Sequence, residues 1–264
     1  MGQALEIKPL IKLHDFDPDY HADMDKEAVR QQTAEMVRKI GELQEKLYAN
    51  ARSSLLVILQ GMDTSGKDGA VKKVFQDADP ASVHVTSFKK PAGEELVHDY
   101  LWRIHQSVPR FGFIGVFNRS QYEDILVPRV LKLVPREVWS KRYEQVNAFE
   151  NCLQENGVKV LKFYLHISKE EQAERLRARL EDPTKNWKFN VEDLKMRQLW
   201  DDFQHAYQDI LNLCSPKTCP WHLVPANRKW YRDFVIAEKV LQTLQSLKLQ
   251  WPAAQEDLTK IKIL

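Results

Sequence analysis

An uncharged run, Leu55-Leu56-Val57-Ile58-Leu59-Gln60, leads into Gly61-Met62-Asp63-Thr64-Ser65-Gly66-Lys67-Asp68-Gly69. A segment with Ala70, Val71, Val74 and Phe75 at helical spacing follows. An apolar run of this kind reads as a strand buried on both faces, as in a parallel sheet. A Gly-x-x-x-x-Gly-Lys loop set between such a strand and a helix is a phosphate-binding P-loop in its required context. Gly61 and Gly66 let the chain fold back so that successive N–H groups, those of Thr64 and Ser65 included, face one anion at the positive end of the next helix. Lys67 adds a full charge at the outer phosphate oxygens.

One position departs from the common P-loop pattern. A Ser or Thr hydroxyl normally follows the lysine and reaches Mg²⁺, but here the residue is Asp68. A carboxylate there repels phosphate unless it faces a cation or turns away. Asp63, inside the loop, is the better metal candidate, because Mg²⁺ prefers carboxylate, water and phosphate oxygens.

Beyond the loop, apolar strand-type segments alternate with amphipathic helical ones. Helical spacing covers Lys26 to Tyr48, Glu94 to His105, Pro135 to Asn156, Val191 to Leu213 and Trp230 to Leu249. Strand composition covers Ser82 to Phe88, Phe113 to Phe117, Val158 to Ile167 and Trp221 to Pro225. Ser168-Lys169-Glu170-Glu171 reads as a capping box opening a further helix, which Asp182-Pro183 breaks. The alternation predicts an α/β fold: a five-stranded parallel sheet with helices on both faces, ligands binding beyond the carboxyl ends of the strands. Residues 1–24, with Asp15-Phe16-Asp17-Pro18-Asp19 as turn chemistry, read as an irregular arm. No repeat or linker divides the 264 residues, which predicts one domain.

Charge narrows the function. With 39 basic and 37 acidic residues the net charge is +2, so a generally basic nucleic-acid coat is not expected. Cys152, Cys214 and Cys219 form no Cys-x-x-Cys pair, and the eight histidines lack zinc-type spacing. No apolar run approaches the roughly 18 residues of a membrane span. The opening residues hold no apolar signal run, and Glu6 stands where a myristoylation pattern wants a hydroxyl. A reduced, cytoplasmic protein that binds neither membrane nor nucleic acid fits these features.

The remaining candidates cluster after predicted strands. Phe117-Asn118-Arg119-Ser120-Gln121-Tyr122-Glu123-Asp124 ends the third strand with Asn118, where P-loop enzymes often use an Asp to help hold Mg²⁺. Glu123 and Asp124 either restore the missing carboxylate or are solvated residues of a helix's first turn. Arg119 has the fork geometry that suits phosphate. Arg175, Arg177, Arg179, Lys185 and Lys188 follow the fourth strand, where phosphotransfer enzymes place a basic lid; Trp187 and Phe189 either cover a base or pack that lid. Lys89-Lys90-Pro91 is an anion site or a solvated turn. Pro225-Ala226-Asn227-Arg228-Lys229-Trp230 can border a nucleotide.

Taken together, Gly61-x-Asp63-x-x-Gly66-Lys67-Asp68-Gly69, the 117–124 segment, the basic run, Asp99-Tyr100-Leu101-Trp102-Arg103, Trp187-Lys188-Phe189 and Val224-Pro225-Ala226-Asn227 resemble the type 2 polyphosphate kinase family. The likeness extends from about residue 15 to about 250. It accounts for Asp68, because aspartate is usual there in that family. It implies a three-layer α/β/α P-loop kinase fold over 1–264 with a helical lid at about 168–190. It also implies phosphoryl transfer between inorganic polyphosphate and a nucleotide, with Mg²⁺ or alternatively Mn²⁺. The implied roles are metal binding by Asp63, Asn118 and Glu123, and catalysis by Asp63, Lys67, Arg119, Glu123, Arg175 and Arg179. Phosphate or nucleotide contacts are implied for Gly61, Thr64, Ser65, Gly66, Lys67, Asp68, Gly69, Lys89, Asn118, Tyr122, Asp124, Arg129, Lys132 and Lys188. Asn118 combined with Glu123 resembles the class III subgroup, which acts on AMP and ADP to give ADP and ATP. The family is commonly oligomeric, so a dimer or tetramer of this chain is expected. The Asn-Arg-Ser-x-Tyr segment also resembles the Asp-Arg-Tyr turn of thymidylate kinases, which leaves an ATP-dependent nucleotide kinase as the alternative.

Overall fold

A computed structural model describes residues 5–6, 11–254, 256–257 and 261. Its center is a sheet of strand order β1-β6-β5-β2-β4-β3, built from β1 (Leu5–Glu6), β2 (Ser54–Gln60), β3 (Val83–Ser87), β4 (Ile114–Asn118), β5 (Val158–His166) and β6 (Trp221–Pro225). The last five are mutually parallel, as expected from their apolar composition. β2 is buried along its whole length.

The difference from expectation is at one edge. Leu5–Glu6 pairs antiparallel with β6, matching Leu5 to Leu223 and Glu6 to His222. The arm therefore contributes a sixth strand. Two residues are too few to carry a period-2 pattern, so sequence offers no trace of it. Residues 1–4 and 7–10 of the expected arm lie outside the described residues.

The helices are α1 (Lys26–Asn50), α2 (Lys67–Val74), α3 (Trp102–Gln106), α4 (Glu123–Val130), α5 (Arg136–Trp139), α6 (Arg142–Glu155), α7 (Lys169–Glu181), α8 (Val191–Gln198), α9 (Trp200–Leu213) and α10 (Lys229–Ser246). α10 packs against α1, α2 and β6, while α6 packs on β5 and α4 on α9. The β2-to-β3 crossover runs toward one sheet edge and the β4-to-β5 and β5-to-β6 crossovers toward the other. Right-handed connections therefore place them on opposite faces, giving three layers.

Three predicted helices are divided. Gly93–Val97 is a 3₁₀ turn separate from α3, the 135–156 helix splits into α5 and α6, and the 191–213 helix splits at Leu199 into α8 and α9. No proline or glycine marks the last two breaks, so helical periodicity reads straight through them. Ser168 caps α7 by accepting from the Glu171 N–H at 3.1 Å, but Glu171 turns to Arg175 at 2.6 Å instead of completing the box.

Parallel register brings the functional ends together. Leu59 pairs with Asn118, Ser87 with Asn118, Gln60 with Tyr164 and His166 with Pro225. The P-loop, the 118–123 turn, the start of α7 and the start of α10 thus share the carboxyl edge of the sheet.

Candidate active site

Past Gln60 the chain turns through Gly61 and reaches α2 at Gly66, which sits at φ +99°. A side chain at Gly66 is excluded twice over. That φ is left-handed, and a Cβ there would strike the Arg232 guanidinium. Thr64 also holds a left-handed conformation, φ +65°. The loop is therefore locally strained, and something must hold it.

Arg175 is that holder. Its Nη1 donates to the carbonyls of Thr64 and Ser65 at 2.9 and 3.0 Å. Its Nη2 donates to those of Ala226 and Asn227 at 2.7 and 2.9 Å, and its Nε to Glu171 at 2.6 Å. All five N–H groups of the guanidinium are engaged. Arg175 thus clasps the P-loop to the β6–α10 connection, and it also lines the cleft described below.

Lys67 lies across the loop. Its Nζ donates to the carbonyls of Gly61 and Met62 at 2.7 and 3.2 Å, with Ser65 Oγ at 3.4 Å. Burial pushes its pKa from 10.5 down to about 8, with the Arg119 charge pulling the same way and Asp63 and Glu123 opposing.

The 118–123 turn faces the loop. Arg119 follows β4 at φ +65° and pairs with Asp63, with Glu123 at 4.0 Å on its other side. Glu123 is partly buried, its side chain 17% exposed, so of the two readings of this residue the freely solvated first-turn one does not hold. Burial raises its pKa, while Arg119 and Lys67 pull it down. In the amide orientation that satisfies both ends, Gln60 donates to Glu123 Oε1 at 3.0 Å. Asn118 donates to Asp68, which engages that carboxylate at the cleft wall.

These groups open on a cleft of about 630 Å³. One wall holds Asp63, Thr64, Gly66, Lys67, Asp68 and Gly69, with Lys89, Asn118 and Arg119 beside them. The other holds Arg179, Lys185, Trp187 and Lys188 from α7 and the turn after it. Lys229 and Arg232 of α10 complete the cleft. Arg232 is buried, shares its Nε and Nη2 with the neighboring Asp233, and sends Nη1 toward Gly66. Its helical position, three residues into an apolar stripe, hides it from sequence reading. The like charges of Arg175, Arg232 and Lys185 help lower the pKa of Lys229, behind the effect of burial. Such crowding of cations suits a polyanionic ligand.

Four expected contacts lie elsewhere. Tyr122 is fully buried below the turn, bonded to Glu150 at 2.7 Å. Asp124 faces away and pairs with Arg103 at 3.0 Å, lining a separate cavity of about 560 Å³ with Tyr100 and Arg142. Arg129 is held by Tyr143 and Asp209, both at 2.7 Å. Lys132 is exposed and lines neither cavity. On α4, side chains one and six residues past Glu123 project to other faces, which proximity in sequence conceals.

No cluster of three metal-ligating side chains occurs among the described residues. Asp63 nevertheless lines the cleft, Glu123 flanks Arg119 on its other side, and a partly buried carboxylate whose pKa is raised is one that a cation would relieve. Mg²⁺ usually takes one or two carboxylates and completes its shell with water and substrate phosphates, so the residues fit it.

Fold and cleft together define a P-loop protein of the kinase type. The chain belongs to the polyphosphate kinase 2 family, whose model matches residues 23–252. It is 45% identical to a Meiothermus ruber protein named AMP/ADP-polyphosphate phosphotransferase, over 96% of this chain and 95% of that one. It is 40% identical to an ADP-polyphosphate phosphotransferase of Rhodopseudomonas palustris, over 89% and 85%. The crystal structure of polyphosphate kinase 2 from Arthrobacter aurescens superposes with a TM-score of 0.94 at 41% identity, covering 97% of this chain and 93% of that one. No helix among the described residues is long and apolar enough to cross a membrane.

Proposed function

We propose that this chain transfers a phosphoryl group from inorganic polyphosphate to AMP and ADP, giving ADP and ATP. The observation that carries the reading is the cleft. A P-loop and Lys67 face a crowd of cations, Arg179, Lys185, Lys188, Lys229 and Arg232, that a polyanion would neutralize. The 45% identity to a protein named for both acceptors supports the same substrates. Asn118 with Glu123 supports the class III assignment.

Phosphoryl transfer needs alignment and charge neutralization more than a covalent nucleophile. The N–H groups at the start of α2 and the Lys67 ammonium bind the oxygens of the transferring phosphate. Arg119, held between Asp63 and Glu123, is placed to meet charge that develops between donor and acceptor. The acceptor phosphate is ionized at neutral pH, so no strong base is required. Mg²⁺, held by Asp63 and Glu123 with Asn118 as a neutral neighbor, would neutralize phosphate charge when bound. The 168–190 segment acts as the lid, bringing Arg179 and Lys188 over the donor and excluding water.

The test is a donor comparison with AMP as acceptor and Mg²⁺ present. Turnover with polyphosphate and no ATP is expected. Turnover that requires ATP would replace this reading with the thymidylate-kinase type.

A further inference from the structure

The 118–123 turn has two sides. Arg119 lines the cleft with Glu123 at 4.0 Å from it, whereas Gln121 and Tyr122 point into the protein. There, Gln121 Nε2 and the Tyr122 hydroxyl both donate to Glu150 Oε1, at 2.8 and 2.7 Å. Lys162 donates to Glu150 Oε2 at 2.6 Å, to the Tyr122 hydroxyl at 3.1 Å and to the Cys214 carbonyl at 2.7 Å. Glu150 comes from α6, Lys162 from β5 and Cys214 from the end of α9, and all are buried. The Tyr122 ring also meets Trp221 edge-on at 4.8 Å.

We propose that the Glu150–Lys162 pair is a positioning device, fixing the 118–123 turn through Tyr122 and Gln121 so that Arg119 and Glu123 stand ready for transfer.

Stability does not explain a wholly buried ion pair, since apolar residues of similar volume commonly serve the fold as well or better. What the pair supplies is direction. One carboxylate collects three donors, two of them from consecutive residues of a turn in which the cleft residue Arg119 is left-handed. Gln121 and Tyr122 sit immediately before Glu123, so a shift of the inner side moves the outer side with it. Neither Glu150 nor Lys162 lines the cleft. Their action is indirect, through the turn.

This inference rests on the proposed polyphosphate-dependent transfer, and its test separates the two. Tyr122→Phe removes one hydroxyl and keeps the ring. The Glu150→Gln/Lys162→Met pair removes both charges and keeps the volumes, guarding against a single variant that does not fold. Turnover with polyphosphate and ADP, melting temperature and hydrogen–deuterium exchange are measured for each. The expected result is kcat lowered about tenfold in both, equal to about 1.4 kcal/mol, with KM for both substrates changed less than about twofold. Exchange should quicken in peptides covering 118–124 and stay unchanged in β2 and β5. Unchanged kcat with unchanged exchange at 118–124, or exchange raised throughout with kcat falling in step with melting temperature, would overturn the proposal. An inactive wild type would remove the proposed function, and the exchange pattern would still decide whether the pair holds the turn.

Discussion

Replacing Lys67 with Met should make the ligand-free protein slightly more stable than the wild type at neutral pH, although it removes the central phosphate-binding charge. The Lys67 ammonium is buried with its pKa lowered from 10.5 to about 8. At about 1.36 kcal/mol per pKa unit, holding it charged in the fold costs about 3 kcal/mol. Methionine avoids that cost but leaves the Gly61 and Met62 carbonyls without their donor, which costs about 2 kcal/mol at about 1 per bond. The net expectation at pH 7 is a gain of about 1 kcal/mol. The sign in alkali is fixed by linkage. The unfolded chain binds this proton up to its ordinary pKa, while the fold releases it above about 8, so wild-type stability rises from pH 8 toward 10.5. By pH 9.5 the wild type should recover about 2 kcal/mol relative to Lys67→Met, and the order of stabilities should reverse. Urea unfolding of both proteins at pH 7.0 and 9.5 measures this. A stability difference that stays constant between the two pH values would refute the reasoning.

Outcomes for five further variants are expected. Gly66→Ala should lower stability by about 1–3 kcal/mol in thermal unfolding, from a left-handed backbone and a clash with Arg232. Arg175→Met should lower stability by about 2–4 kcal/mol, because four carbonyls lose their donor; Arg179→Met should leave the melting temperature unchanged and raise KM for polyphosphate several-fold. Asp63→Asn should move the Mg²⁺ titration of activity to higher concentration, and an unaltered titration would exclude Asp63 as a metal ligand. Asn118→Asp should change the ratio of AMP to ADP turnover, and an unchanged ratio would count against the class III assignment.

The P-loop and the five parallel strands were legible because each depends on a local pattern. Trp221 to Pro225 was placed at its observed bounds because it is a short apolar run between turn residues. Leu5–Glu6 was not legible, since a two-residue strand is defined by its partner β6 and not by its own composition. At the site, Lys67, Asp63, Asn118 and Arg119 come together because they end adjacent strands. The clasp that Arg175 makes was not legible for a physical reason: its five acceptors include four backbone carbonyls, and carbonyls carry no sequence signature. Arg232 was missed because it lies among the apolar residues of α10 and becomes a cleft residue only where that helix meets Gly66. Asp124 and Tyr122 were grouped with Glu123 by adjacency, but helix geometry sends consecutive side chains to different surroundings.

The central claim is that polyphosphate supplies the phosphoryl group to both acceptors at one P-loop. Its most direct test is product formation from long-chain polyphosphate with Mg²⁺, offering AMP and ADP separately, with Lys67→Ala measured beside the wild type. ADP from AMP and ATP from ADP, both lost in the variant, is the expected result. Product that survives Lys67→Ala, or no product from either acceptor without ATP, would contradict it.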